Sequence, residues 1–229
     1  MSERVYNIFS QVYRNYDAVN TICSLGTIVQ WRKVGAQAAL VDKEHYKLLD
    51  IATGTGEFAI ALYREARRNG KHVDITAMDF AENMLMVAVQ KAQHKHIKIN
   101  FEHGDAMHLR YANNSFDVVT SSFALRNVDD LAKFSKEAYR VLKKGGKFVF
   151  MDMARPDNAA SRAFLKAFWV ATSGVGNLSE NKDAFKWLME SIERFDKRKF
   201  VRILRKAKFK GIRMRNLRSG AAFMVTGHK

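Results

Sequence analysis

The chain has 229 residues, 47% of them apolar and 27% charged, with 39 Lys and Arg against 23 Asp and Glu for a net charge of +16. That length suits one α/β domain with additions and an extensive core, and the single cysteine, Cys23, excludes an internal disulfide or a thiolate metal cluster and fits a reducing compartment. No apolar run reaches the roughly 20 residues of a bilayer span, and MSERVYNIFS lacks the apolar core of a secretory signal, so a soluble, cytoplasmic protein is expected.

Residues 2–19 place Val5, Ile8, Phe9, Val12, Tyr16 and Val19 at three- and four-residue spacing, which predicts a helix. Ser24 and Gly26 interrupt the pattern before a second amphipathic helix over Thr27–Leu40. Both precede the first strand, so residues 1–40 read as a helical addition to the sheet, placed as a lid would be. Tyr16 and Asp17, beside a polar turn, are candidates to touch substrate, though such tyrosines also serve as core aromatics.

KLLDIATGTGEF (Lys47–Phe58) is the stretch around which the chain is organised. Leu48, Leu49, Ile51 and Ala52 suit a parallel strand buried on both faces. Thr53, Gly54, Thr55 and Gly56 then make a turn in which glycine permits positive φ or close approach of a ligand, and Glu57–Asn69 reads as a helix whose free N–H groups point back at the turn. Gly54, Gly56 and Ala59 fit the loose dinucleotide fingerprint. A diphosphate on that helix N-terminus would meet Asp50 at the strand end and Glu57 at the helix start, and two carboxylates repel it. They suit a ligand with an ammonium and a sulfonium, as in S-adenosylmethionine. The next run, Val73–Met78, ends in Asp79, where a carboxylate can accept both ribose hydroxyls. The plainer alternatives are helix N-terminal charges for Asp50 and Glu57 and a helix N-cap for Asp79.

A helix over Ala81–Gln93 and a strand over Ile97–His103 follow, then Gly104, Asp105 and Ala106, where an acid at the strand's carboxyl end can accept an adenine amino group or form a turn. Phe116–Ser122 is a fourth strand, and in the loop FALRNV (Phe123–Val128) Arg126 and Asn127 lie where the substrate's reacting group belongs. A helix over Asp129–Leu142, a Lys-Lys-Gly-Gly turn and a fifth strand over Lys147–Asp152 come next. Residues 157–192 read as helical, broken near Ser173–Asn177, and their aromatic richness suits core packing or an apolar substrate tunnel. A helix over Asp196–Ala207 and a hairpin of Ile212–Leu217 with Ala221–Thr226 complete a seven-stranded sheet. From Lys186 onward there are 14 basic residues against three acids, a surplus of 11. Solvated surface, nucleic acid and an anionic membrane each fit such a section.

Four separated motifs carry a resemblance: YDAVNTICSLGTIVQWR (Tyr16–Arg32), SSFALRNV (Ser121–Val128), RVLKKGGKFVFMDMARP (Arg140–Pro156) and the terminal NLRSGAAFMVTGHK (Asn216–Lys229). In these the chain resembles the UbiE/COQ5 family of S-adenosylmethionine-dependent C-methyltransferases, which act on the rings of menaquinone and ubiquinone precursors. The likeness runs over nearly the whole length and implies a class I, Rossmann-like methyltransferase fold forming a single domain over residues 1–229. It places cofactor contacts on Thr55, Asp79, Asp105, Ala106 and Ser122, with S-adenosylhomocysteine as coproduct. The loops His108–Tyr111 and Lys143–Gly146 lack prolines common in the family, and Ala159–Asn181 is the least similar part.

The implied reaction is attack of an electron-rich ring carbon of a polyprenyl quinol, demethylmenaquinol first, on the cofactor's methyl group. Arg126 is expected to stabilise a phenolate, Asn127 to orient the ring, and Tyr16, Asp17 or water to serve as base. An RNA or DNA methyltransferase is disfavoured: Ser-Phe-Ala-Leu stands where an amino-methylating enzyme carries an Asn/Asp-Pro-Pro-aromatic loop, and Cys23 lies outside the sheet. A non-catalytic cofactor-binding partner of quinone enzymes is the remaining alternative. The preferred partner of the basic section is an anionic membrane surface, with the protein peripheral to it, and a homodimer is compatible with the sequence.

Overall fold

The structure, a computed structural model, describes residues 17, 21, 24, 26–159, 161–163, 182–217 and 220–229. Leu48, Leu49 and Ile51 are fully buried because strand β1 (His45–Ile51) runs between β2 (His72–Asp79) and β4 (Phe116–Ser122), parallel to both. With β3 (Asn100–His103), β5 (Leu142–Met153), β6 (Lys210–Asn216) and β7 (Ala222–His228) they form a seven-stranded sheet ordered β3-β2-β1-β4-β5-β7-β6. The first five strands are parallel, and β7 runs antiparallel between β5 and β6. Chain order reverses between β1 and β4, which opens a crevice beyond their carboxyl ends.

Side-chain alternation along the strands separates two cores. Leu48, Val149 and Met151 pack with Trp31 of α1 (Thr27–Ala39) and with Phe58 and Leu62 of α2 (Glu57–Arg68). On the other face Leu49, Ile51, Phe148 and Phe150 pack with Phe134 of α4 (Leu131–Val141) and Phe200 of α6 (Lys197–Lys206). Helix α3 (Glu82–His94) follows β2, and α5 (Lys182–Arg194) precedes α6. Helix α6 shows why a strongly basic segment still folds onto the sheet. Phe200, Val201 and Leu204 face inward, and buried Lys197 reaches Asp157 Oδ2 at 2.7 Å and Asn216 Oδ1 at 2.9 Å. Arg198 and Arg202 stay exposed.

The predicted fifth strand begins earlier than expected. The Lys-Lys-Gly-Gly segment is part of β5 rather than a free turn: Leu142 pairs with Phe116, the register shifts, and pairing resumes at Lys147 and Val118. Gly145, at φ 73°, absorbs the irregularity. Strand β3 is shorter than expected, starting at Asn100. The terminal hairpin closes where expected, with the Leu217 N–H donating to the Ala222 carbonyl at 2.8 Å. The predicted first helix and the break near Ser173–Asn177 lie outside the described residues, apart from a helical Asp17. Among the described residues no helix is long and apolar enough to cross a membrane.

Candidate active site

The crevice beyond β1–β4 is a cleft of about 960 Å³, its solvent-open mouth included. Its floor is the glycine turn. After β1, Ala52 takes φ 57°, Gly54 φ 56° and Gly56 φ 77°. A Cβ on Gly56 would stand 2.9 Å from the Ala88 Cβ, so this glycine both turns the chain and lets α2 approach α3, while Gly54 faces open space. Phe123, directly after β4, also has positive φ, 59°. Ala52 and Phe123 both line the cleft, and non-glycine residues held in that region concentrate backbone strain at the rim of a site.

Asp79 ties the turn to β2. Its Oδ2 accepts the Gly54 N–H at 2.7 Å and its Oδ1 the Ala81 N–H at 2.9 Å, and the carboxylate lines the cleft. Burial pushes this carboxyl up, and the Ala81, Gly54 and Phe80 N–H groups oppose the shift. At Asp105 burial also opposes ionisation. There the His108 ring, 2.9 Å from Oδ2, and the Met107 N–H, 2.9 Å from Oδ1, outweigh it and hold the carboxyl below the usual range. Thr53, Thr55, Ala106, Ser122 and Asn127 complete the predicted residues that share this cleft.

Four predicted residues stand elsewhere. Gly56 lies behind the cleft as the N-cap of α2. Asp50 lies beneath the cleft, 1% exposed, accepting the Thr53 hydroxyl at 2.7 Å and the Thr120 hydroxyl at 2.6 Å. Arg126 turns away from the cleft: its side chain is 5% exposed, pairs with fully buried Asp152, and donates to the Phe123 carbonyl at 3.1 Å. Asp17 is engaged on both oxygens, by the Thr55 hydroxyl at 2.8 Å and by Lys91. Tyr16 lies outside the described residues. Glu57 lines the cleft but is paired with Lys91 at 2.9 Å. The expected acidic rim is thereby rearranged: Asp50 is covered, Glu57 has a cation, and the carboxylates facing the cleft without a lysine or arginine partner are Asp79 and Asp105.

Asp50 sets a pH dependence. Burial, reinforced by Asp79, pushes its carboxyl up to about 6, against the Thr120 and Thr53 hydroxyls and the charge of Arg32. A carboxyl raised in the folded state stabilises the fold fully below its ordinary range, and that contribution is lost as pH rises through 6. The wild-type protein is therefore expected to lose about 2 kcal/mol between pH 4 and 7 relative to Asp50→Asn, for a shift of about two pKa units. Urea titrations at several pH values measure it, and parallel curves for the two proteins would refute it.

Two features escaped the sequence reading. Asn127 is oriented by the indole of Trp187 on α5, whose Nε1–H lies 3.1 Å from Oδ1. Indole N–H only donates, so the amide oxygen faces Trp187 and Nδ2–H is left as the donor group. Sixty residues separate the pair, and no local spacing announces it. Arg32 is the one lysine or arginine among the described residues lining the cleft. Its signal was legible: Ile28 and Arg32 are four apart on a predicted helix, so they share a face, and both line the cleft.

Comparison with known proteins fits this geometry. The whole chain, residues 1–229, matches the profile of the ubiE/COQ5 methyltransferase family. The chain belongs to that family. A demethylmenaquinone methyltransferase of Staphylococcus haemolyticus (strain JCSC1435) is 36% identical over 230 residues, spanning 99% of this chain and 94% of the relative. Among solved structures, a SAM-dependent methyltransferase from Thermotoga maritima superposes with a TM-score of 0.69 at 19% identity, covering 98% of this chain and 99% of that one. Phosphoethanolamine N-methyltransferase 2 of Haemonchus contortus, solved with S-adenosyl-L-methionine, gives a TM-score of 0.64 at 17% identity over 87% of this chain and 52% of that one. As a ubiE/COQ5 methyltransferase with the class I α/β fold, the protein is an S-adenosylmethionine-dependent methyltransferase. The cleft's chemistry fits that cofactor: the Asp79 carboxylate as acceptor for a diol, apolar Phe80 and Met107 walls for a purine, and a glycine turn open to close approach.

Proposed function

We propose that the protein methylates a ring carbon of a polyprenyl quinol, demethylmenaquinol before ubiquinone precursors, in isoprenoid quinone biosynthesis. The observation that carries the choice of substrate is the full-length likeness to a relative of that activity. The cleft supports it with an apolar interior rimmed by few polar groups. The whole chain acts as one methyltransferase domain.

S-adenosylmethionine supplies an electrophilic methyl group when bound. Asp79 would accept the ribose hydroxyls, Asp105 and Ala106 would receive the adenine, and Thr55 and Ser122 would border the remainder of the cofactor. Asn127, its Nδ2–H presented by Trp187, donates to the ring oxygen beside the reacting carbon and favours the more nucleophilic, deprotonated quinol. Arg126 works through the loop: its guanidinium and its backbone N–H both hold Asp152, the latter at 3.0 Å, which fixes the segment bearing Asn127. Asp17 accepts the Thr55 hydroxyl and so braces the glycine turn, and water takes the ring proton. Positioning supplies much of the rate, since methyl transfer needs collinear atoms.

The exposed bases of α6 and edge strand β6, among them Arg198, Arg202, Arg213 and Arg215, suit an anionic membrane surface from which a lipophilic quinol is drawn. One assay tests both parts. Labelled cofactor is offered with demethylmenaquinol, a demethoxy-type benzoquinol and RNA, the quinols in anionic or neutral vesicles. Label is expected in the quinol alone, fastest from anionic vesicles and slowed by high salt. Label in RNA would sink the substrate assignment, and equal rates from both vesicles would remove the membrane role.

A further inference from the structure

Among the described residues, half-buried cations are matched to acceptors. Lys91 holds Asp17 and Glu57, Arg126 holds Asp152, and Lys197 holds Asp157 and Asn216. Arg32 is the exception. Its Nε is buried without a hydrogen-bond partner, the described residues give its guanidinium no ion pair, and it lines the cleft beside Ile28. Leaving a charged donor desolvated and unsatisfied is costly. A fixed cation is also a liability in a cleft that must accept a sulfonium, unless the ligand brings an anion to that place.

The position of Arg32 says which anion. Asp50 shares a strand face with Leu48, the face covered by α1 and α2, and Arg32 projects from α1 close enough to act on the Asp50 charge. Helix α1 also packs on β4 and β5, whereas Asp105 and Ala106 follow β3 at the other side of the cleft. A ligand with its adenine at Asp105 and its ribose at Asp79 has its amino-acid end near Asp50 and Arg32. There an acid beneath the cleft and a cation on its wall complement an ammonium and a carboxylate.

We propose that Arg32 is the carboxylate-binding residue of the cleft, pairing with the amino-acid end of S-adenosylmethionine and S-adenosylhomocysteine. This rests on the cofactor placement above and adds a determinant of specificity: the cleft selects the zwitterionic tail over adenosine thioethers that lack the carboxylate.

Calorimetry on the full chain tests it with two ligands, S-adenosylhomocysteine and its decarboxylated analogue. The wild-type protein is expected to prefer the first by about 30-fold, the scale of a hydrogen-bonded charge pair. Arg32→Ala should abolish that preference by weakening S-adenosylhomocysteine alone, and Arg32→Lys should retain part of it. Unfolding curves of each variant report whether the fold survives, and the ratio of two affinities within one variant is insensitive to a partly unfolded fraction. Equal weakening of both ligands, or a preference unchanged in Arg32→Ala, would overturn the inference. An unchanged preference with a raised KM for the quinol would move Arg32 to the substrate's oxygen. Failure of the wild-type protein to bind S-adenosylhomocysteine at all would strike the cofactor placement itself.

Discussion

Arg126→Ala is expected to cost the fold about 3–5 kcal/mol, the loss typical of removing one partner from a buried ion pair. Asp152 has no exposed surface. Without the guanidinium it keeps two backbone donors, the Arg126 N–H at 3.0 Å and the Met153 N–H at 2.7 Å, but no counter-charge. The deficit should shrink at acid pH, where Asp152 can take up a proton. Arg126→Met combined with Asp152→Leu should recover much of the loss, because replacing a whole buried pair with apolar groups is often neutral. Chemical denaturation of the three variants measures this. A loss below about 1 kcal/mol accompanied by abolished turnover would return Arg126 to the phenolate-binding role that its place in the loop first suggested.

Asp79→Asn is expected to lower affinity for S-adenosylhomocysteine by about 100-fold or more, roughly the loss of two hydrogen bonds to a charged acceptor. The carboxylate accepts a backbone N–H on each oxygen, from Gly54 and from Ala81. An amide supplies one oxygen only and must turn its own N–H groups toward one of those donors. The substitution therefore disturbs the glycine turn and removes an acceptor for the ribose together. Titration calorimetry reads the first effect and thermal unfolding the second. Affinity within threefold of wild type would exclude Asp79 from the ribose site.

What was legible in the sequence follows from the range of the interactions concerned. A strand buried on both faces shows itself locally, so Leu48–Ile51 and the turn at Gly54 and Gly56 could be placed without a structure. Asp79 and Asp105 could be placed as well, because a parallel sheet delivers every strand's carboxyl end to one edge. Charge pairing is not local. Lys91 neutralises Glu57 from the adjacent helix, and Asp152 claims Arg126 from the next strand. Hence the acidic rim and the phenolate-facing arginine, both inferred from position along the chain, are altered by partners that only the folded arrangement supplies. The Lys-Lys-Gly-Gly segment misled for a related reason: its glycines serve a bulge within β5 rather than a free turn. Asn127 lines the cleft, as its position after β4 suggests, while its donor orientation depends on Trp187 from a distant helix.

The most direct measurement is a single turnover. Protein mixed with S-adenosylmethionine carrying a ¹³C-methyl group is presented with demethylmenaquinol in anionic vesicles, and the extracted quinone is analysed by carbon NMR. The label is expected as a methyl group bonded to a ring carbon, formed in step with S-adenosylhomocysteine. Label on a ring oxygen, or none in the quinone while the cofactor stays bound and intact, would contradict it.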